Sequence, residues 1–364
     1  MTNTTTRISS KLALIFIGVL ALVTMLYMVQ AIILPIVYSV IIAIALNPIV
    51  NFLVAKKTNH TVAIVLAISI VLLLTMALLI FISSQLSMLS ETYPLLVDKF
   101  YEAGKLSVTW ASTYFNISTI KINVLLADAK IAIINTGKSY IGAAVSSMGH
   151  GMFVLALIPV YVVMFLYYKP LLLDFIRQLF GANHLVAVNQ VLTKTKLIIQ
   201  KYLLGLLIEA FIIAILNSVG LLIIGIDYAI ILGIIGALLN VIPYIGGIVA
   251  VALPAIVAIT TKSTSTYFVL VLLVYVVIQF IDNHYISPKI VASKVKINAL
   301  AAIIVVLCGS ALWGVAGMFL SIPLTAIIKV ICEHVPSLKP WGLLLGDTLP
   351  TTTVAKIKLK KHYK

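Results

Sequence analysis

Eight long apolar runs constrain this chain more than any other feature. They cover 12–30, 32–54, 61–85, 148–168, 202–224, 228–260, 267–286 and 299–331. A helix needs about 20 mostly apolar residues to cross the hydrocarbon core of a bilayer. With no water at that depth, the backbone must satisfy its own hydrogen bonds, and continuous apolar runs do so as helices. A transmembrane barrel would show short stretches of alternating polarity instead. The expected fold class is therefore all-α: a polytopic integral membrane protein of about eight transmembrane helices, some broken or re-entrant, with a small amphipathic extramembrane region.

Charged residues are 10% of the 364 positions and hydrophobic residues 62%. A soluble domain carries about a quarter charged residues to cover its surface, so water is not the solvent of this fold. The net charge of +15 invites a nucleic-acid reading, but the lysines lie between apolar runs and in the tail of Lys356, Lys358, Lys360, Lys361 and Lys364. That is where the positive-inside rule puts them, so no nucleic-acid partner is expected. Cys308 and Cys332 fall in or beside one apolar run and imply neither a disulfide framework nor a metal cluster.

Four segments follow from the pattern. Residues 1–85 form three spans, the first read as an uncleaved helix after Arg7 and Lys11. Residues 86–147 carry five Lys and four acids yet keep apolar residues at helical spacing, as in Ile117, Ile120, Val124 and Leu125. They predict amphipathic extramembrane helices. Residues 148–333 form a transmembrane core, and 334–364 a basic tail.

If every run crosses, Arg7 and Lys11, Lys56 and Lys57, the group Lys169 to Lys201 and the tail share one side. Both termini are then cytoplasmic in a cell (inner) membrane. Lys289, Lys294 and Lys296 dissent by landing opposite. Either that loop is functional, or the run 228–260 is a re-entrant hairpin.

That same run holds the most informative interruption. Asn240, Pro243, Tyr244, Gly246, Gly247 and Pro254 all lie within it. Proline removes a donor and clashes with the preceding turn, and paired glycines relax the backbone. Broken backbone at membrane depth is tolerated where it is buried or lines a wet cavity, and such breaks point to transporter sites. Gly309, Trp313, Gly314, Gly317 and Pro323 interrupt the run 299–331 comparably. Taken singly, each glycine or proline also fits simple close packing of helices.

Ionisable groups within the runs add candidates. Glu209 is flanked by Leu206, Leu207, Ile208 and Ala210. Gln279, Asp282 and Asn283 share one helical face, with His284 adjacent. A buried carboxylate could carry a cation or proton, whereas Asp282 and His284 at a water interface would be a solvated cap. Asn217 fits interhelical hydrogen bonding. Metalloprotease, serine-hydrolase and phosphate-loop motifs are absent, so no enzyme, metal or cofactor is expected. Without a nucleotide site, transport would draw on a gradient.

Four blocks resemble the autoinducer-2 exporter family of permeases: Lys201-Tyr-Leu-Leu-Gly205, Asn240-Val-Ile-Pro-Tyr-Ile-Gly-Gly247, Gln279-Phe-Ile-Asp-Asn-His-Tyr-Ile-Ser-Pro-Lys-Ile290 and Leu312-Trp-Gly-Val-Ala-Gly-Met-Phe-Leu-Ser-Ile-Pro-Leu324. Where the family pattern has proline after the first glycine of the second block, this chain has Gly247. The resemblance implies a homo-oligomeric cytoplasmic-membrane transporter of about eight spans. Some members are linked to export of a quorum-sensing furanone, others to sodium/proton antiport. The leading expectation is a gradient-driven carrier of a small polar solute, its pathway lined by the Pro243 and Pro323 breaks. The alternatives are a Na+ or H+ antiporter using Glu209 and Asp282, and a non-transporting scaffold that binds through 86–147.

Overall fold

The computed structural model describes residues 2–81, 157–242, 246–262, 264 and 266–347. Among these the structure is helical, with one isolated bridge between Ile297 and Gly346. The extramembrane region expected at 86–147, the tail lysines, Pro243 and Tyr244 lie outside the described residues.

Helix α1 (Thr2–Met28) passes into α2 (Gln30–Ala55) through Val29, whose amide donates to Met25 O and whose carbonyl accepts from Ile32 and Ile33. Lys57 takes a positive φ of 68° to turn the chain into α3 (His60–Phe81). There Ile64 and Ile68 pack on Leu46 and Val50 of α2. Helix α4 (Leu157–Tyr167) meets α5 (Lys169–Phe180) at 65°. Pro170 sits in the first turn of α5, where its missing N–H is an orphan position anyway.

Helix α6 (Leu185–Ile224) is the longest, at 40 residues, and ends at Gly225, whose φ of 79° makes a left-handed cap. Its first part carries Lys194, Lys196 and Lys201; the part from Tyr202 onward is apolar.

Two of the apolar runs fold back on themselves. Helix α7 (Ala229–Asn240) and helix α8 (Gly246–Thr261) are short, each too short for a full crossing at about 1.5 Å per residue. Gly236 lies against Ala250, positions symmetric about Pro243. Leu232 and Ala229 share a cluster with Ala255, Val257 and Ala258. At the open end Lys262 Nζ bonds Asp227 Oδ1 at 3.4 Å. The run 228–260 is therefore a helical hairpin whose two ends meet.

Helix α9 (Thr266–Ile281) continues through π-helical turns at Asp282–Ile286 and Pro288–Ala292 and a last turn, α10 (Ser293–Val295). Helix α11 (Ala299–His334) leaves helical geometry at Trp313 and Gly314, the latter at φ 60° and ψ −140°. Gly309 then touches Gly317 and Ser321 across the fold, and Val306 and Ala302 cluster with Ile322 and Ala326. This is a second hairpin. Its tip is held by Trp313 Nε1 donating to Leu26 O and Tyr38 Oη donating to Ala316 O, both at 3.1 Å. Its base is stapled by Asn298, which accepts from Ala301 N and donates to Leu344 O in the last turn of α12 (Lys339–Leu345) and to Gly346 O just after it. Of the residues expected to interrupt this run, Trp313 and Gly314 make the turn, whereas Pro323 lies buried within the returning arm.

The hairpins come from opposite ends. The base of the first follows the C-terminal end of α6, whereas His334 at the base of the second reaches Lys194 near the N-terminal end of α6. Because 228–260 turns back, α9 delivers Lys289, Lys294 and Lys296 to that same lysine-bearing end, which removes the dissent in the charge pattern.

Five described helices are long and apolar enough to cross a membrane, or six if α4 and α5 count as one bent span. The expected figure of about eight also counted 12–30, where the described apolar helix is the shorter Phe16–Met28, and 228–260, which folds back. Helix α11 passes the length test although it turns back at Gly314, because length alone cannot distinguish a fold-back from a rod. The outer faces of the crossing helices are apolar, with Leu207 70%, Phe211 68% and Ile223 80% exposed. A water-soluble protein would place charge there. With lipid as the surround, small residues rather than hydrophobic burial bring helices together. Gly205 does so against the backbone of Ile290, and Gly233 against Ser218.

Candidate transport site

The tip of the first hairpin meets the end of α9. Asn240, the last residue of α7, donates Nδ2 to Asp282 Oδ2 at 2.8 Å and accepts at Oδ1 from Gln279 Nε2 at 3.1 Å. The two glycines that follow explain the fit. A Cβ at Gly246 would strike the backbone of Leu239 and Asn240, so the turn closes only without one. A Cβ at Gly247 would lie 2.5 Å from Gln279 Oε1, so the bare Cα leaves the room that the amide of Gln279 occupies.

Glu209 comes from the apolar part of α6, on one stripe with Tyr202 and Leu206 at helical spacing. Its carboxyl group faces that of Asp282, with the Ser287 hydroxyl beside it. Glu209 is 8% exposed and Asp282 3%.

The π-helical turns set how α9 presents its residues. Five residues separate Asp282 from Ser287 and Ser287 from Ala292, one π turn each, and all three line the same cavity. An ordinary helix would swing Ser287 away from Asp282. Such π-helical insertions recur at functional sites.

The cavity has a volume of about 840 Å³. It runs between α6, α9, the tip of the first hairpin and the first arm of the second, where Val241 packs near Ala302 and Ile322. Glu209, Asn240, Gly247, Gln279 and Asp282 all line it, and no Lys or Arg among the described residues does. Two polar atoms here, Asp282 Oδ1 and Tyr275 Oη, are buried without a hydrogen-bond partner among the described residues. Buried polar groups cost free energy until something pairs with them. The site therefore offers negative charge and unused acceptors to a cation or a donor-bearing solute.

The structure gathers six of the residues named from sequence, Asn283 being the sixth in the lining. Gly246 supports them from behind, while Gly314, Gly317 and Pro323 belong to the second hairpin and are not among the lining residues. His284 faces outward, stacked on Phe280 with Nδ1 at 2.9 Å from Phe280 O. Asn217 packs between α6 and α7, its Nδ2 against Gly236. Tyr202, Tyr275 and Ser287 were not singled out by sequence. Tyr275 and Tyr202 carry a signal in retrospect, since Tyr275 precedes Gln279 by four residues and Tyr202 precedes Glu209 by seven. Ser287 has none, because only the π geometry turns it inward.

Lipid-facing helices around an acid-lined cavity, closed by interrupted helices, are the construction of a membrane transporter. The sequence profile of the AI-2E family of transporters matches residues 14–337. The chain belongs to the AI-2E transporter family. Similar curated proteins include "Putative transport protein YrrI" of Bacillus subtilis (strain 168), 33% identical over 133 residues, 36% of this chain and 37% of that one. Another is "Putative permease PerM" of Escherichia coli (strain K12), 26% identical over 182 residues, 50% of this chain and 51% of that one. The aligned segments thus cover about half or less of the length of these relatives.

Proposed function

We propose that this protein is a gradient-driven transporter of a small polar solute, coupled to a proton or sodium ion at the Glu209–Asp282 pair. One observation carries the reading: two buried carboxyl groups face each other in a cavity with no Lys or Arg in its lining among the described residues. Facing carboxylates repel in such surroundings, and a proton or monovalent cation between them offsets that repulsion. Binding of the ion would then favour one arrangement of the hairpin tip, because Asn240 connects that tip to Asp282.

For the solute, the free acceptors and the uncharged Asn240 and Gln279 amides favour a hydroxyl-bearing compound. The quorum-sensing furanone linked to family members fits that chemistry, and export is the direction we propose. The lysine-rich end, holding Lys56, Lys169, Lys194, Lys289 and Lys329, is then cytoplasmic, in a cell membrane. The chain would work as a homo-oligomer.

A second reading, cation/proton antiport without a solute, is favoured by the same carboxyl pair. Proteoliposomes loaded with a panel of hydroxylated metabolites, assayed with and without a sodium or proton gradient, separate the two. Gradient-dependent solute flux supports the first. Sodium-dependent proton release with no solute present supports the second. If neither occurs in well-inserted protein, both fail.

A further inference from the structure

A second cavity, of about 620 Å³, lies at the lysine-bearing end between α2, α5, α6 and α11. It is separate in lining and opposite in chemistry from the acid-lined one. Lys169 donates Nζ to Asn47 Oδ1 at 2.8 Å, which uses the amide's acceptor and aims its Nδ2 elsewhere. Asn47 is 5% exposed, and that Nδ2 has no partner. The Thr195 hydroxyl, also buried, has none either. Lys196 shares the lining, and neither it nor Lys169 joins an ion pair among the described residues. Arg177, on the rim, is already engaged by Asp174 at 2.9 Å and Asn189 at 3.1 Å.

The free polar groups of this cavity include two ammonium groups, an unused amide N–H and an unused hydroxyl. All four can donate, and an oxyanion with several lone pairs can accept from all of them at once. Apart from Arg177, Asn189 and Thr193 the rest of the lining is apolar, including Leu172 and Leu173 of α5. Helix α5 itself leaves Leu171, Phe175 and Leu179 exposed at 64%, 61% and 66%, on one face at helical spacing. A helix bent away from its span, with an outward apolar stripe and a basic flank, lies along a membrane surface.

We propose that this cavity binds a phosphate group at Lys169, Lys196, Asn47 and Thr195, carried by an acidic phospholipid whose acyl chain runs along Leu172 and Leu173. Charge-assisted hydrogen bonds hold the head, and the apolar wall holds the chain.

The test uses the full-length protein in an uncharged detergent, titrated with lysophosphatidylglycerol, lysophosphatidylcholine or inorganic phosphate while Tm is followed. The anionic lysolipid should raise Tm saturably, and the zwitterionic one should do so far less. The double variant Lys169→Gln/Lys196→Gln should bind the anionic lysolipid about tenfold or more weakly, since each lost charged bond is worth that much. Thr195→Val, which keeps both charges, should weaken it a few-fold and carries the test if the double variant does not fold. Lysine-dependent stabilisation by phosphate alone would support the anion site and assign a free phosphate as its source. Equal stabilisation by both lysolipids, or undiminished binding in the variants, overturns the proposal.

Discussion

Asn240 donates its side-chain amide to Asp282 across 2.8 Å, joining the end of one helix to a carboxylate 42 residues later. That bond ties the tip of the first hairpin to the helix that carries half of the acidic pair. It makes the hairpin's position and the charge state of the cavity interdependent, and the predictions below probe that connection and the fold that sets it.

Replacing Asn240 with Ala removes a donor to a charged acceptor and an acceptor for Gln279. Loss of a hydrogen bond to a charged group costs about 1.5–3 kcal/mol, so solute flux into proteoliposomes should fall about tenfold or more at subsaturating concentration. Membrane insertion, judged by protease protection, should stay near wild type. Normal flux in well-inserted Asn240→Ala would show that the tip contact is dispensable.

Neutralising either acid should uncouple rather than unfold. Glu209→Gln and Asp282→Asn keep shape and hydrogen-bonding capacity while removing one charge of the facing pair. In everted vesicles each should abolish the response of transport to a sodium or proton gradient. Exchange that persists in both variants would rule out the pair as the coupling site.

The two glycines should separate function from stability. A methyl group at Gly247 meets the far end of the Gln279 side chain, which can swing away, so Gly247→Ala should lower flux with little change in Tm. At Gly246 the same methyl meets backbone, and overpacking of that kind costs about 1–3 kcal/mol. Gly246→Ala should therefore lower Tm. Gly18→Ala, with nothing within 4 Å, is the silent control.

The fold-back of 228–260 can be read by cross-linking. In a Cys308→Ser, Cys332→Ser background, Asp227→Cys and Lys262→Cys should be bridged by a short bis-maleimide, detected as a mass increase of one linker per chain. A continuous helix over this run would hold the ends about 50 Å apart and give no intramolecular product.

Asn298 caps α11 and ties its start to the segment after its end. Asn298→Ala should destabilise by about 1 kcal/mol for the cap alone, and by more once the two Nδ2 bonds are counted. Thermal unfolding in detergent measures it.

The class of fold was legible because apolar content and run length dictate it. The first break was legible too, since Pro243 and the glycine pair have few other uses. What lay beyond the sequence was the direction taken after each break. Whether a broken run continues across or turns back depends on contacts such as Gly236 with Ala250, and these are long-range. The second break misled for a local reason. Pro323 looks the stronger breaker, yet a proline can sit within a membrane helix when neighbours satisfy the freed carbonyl, whereas only glycine readily adopts the backbone seen at Gly314. At the site, Gln279 and Asp282 were found because three-residue spacing on a helix is readable. Their meeting with Glu209, some seventy positions earlier, was not.

The π-helical stretch after Asp282 works as a phase adjuster. Each wide turn stores one residue beyond what an ordinary helix needs. A regular helix over the same residues would rotate everything downstream by about 100° around the axis for each residue so stored. Val295, buried against the second hairpin, would then point away from it, and Asn298 would miss the carbonyls it staples. The two wide turns thus set the phase of everything that follows them.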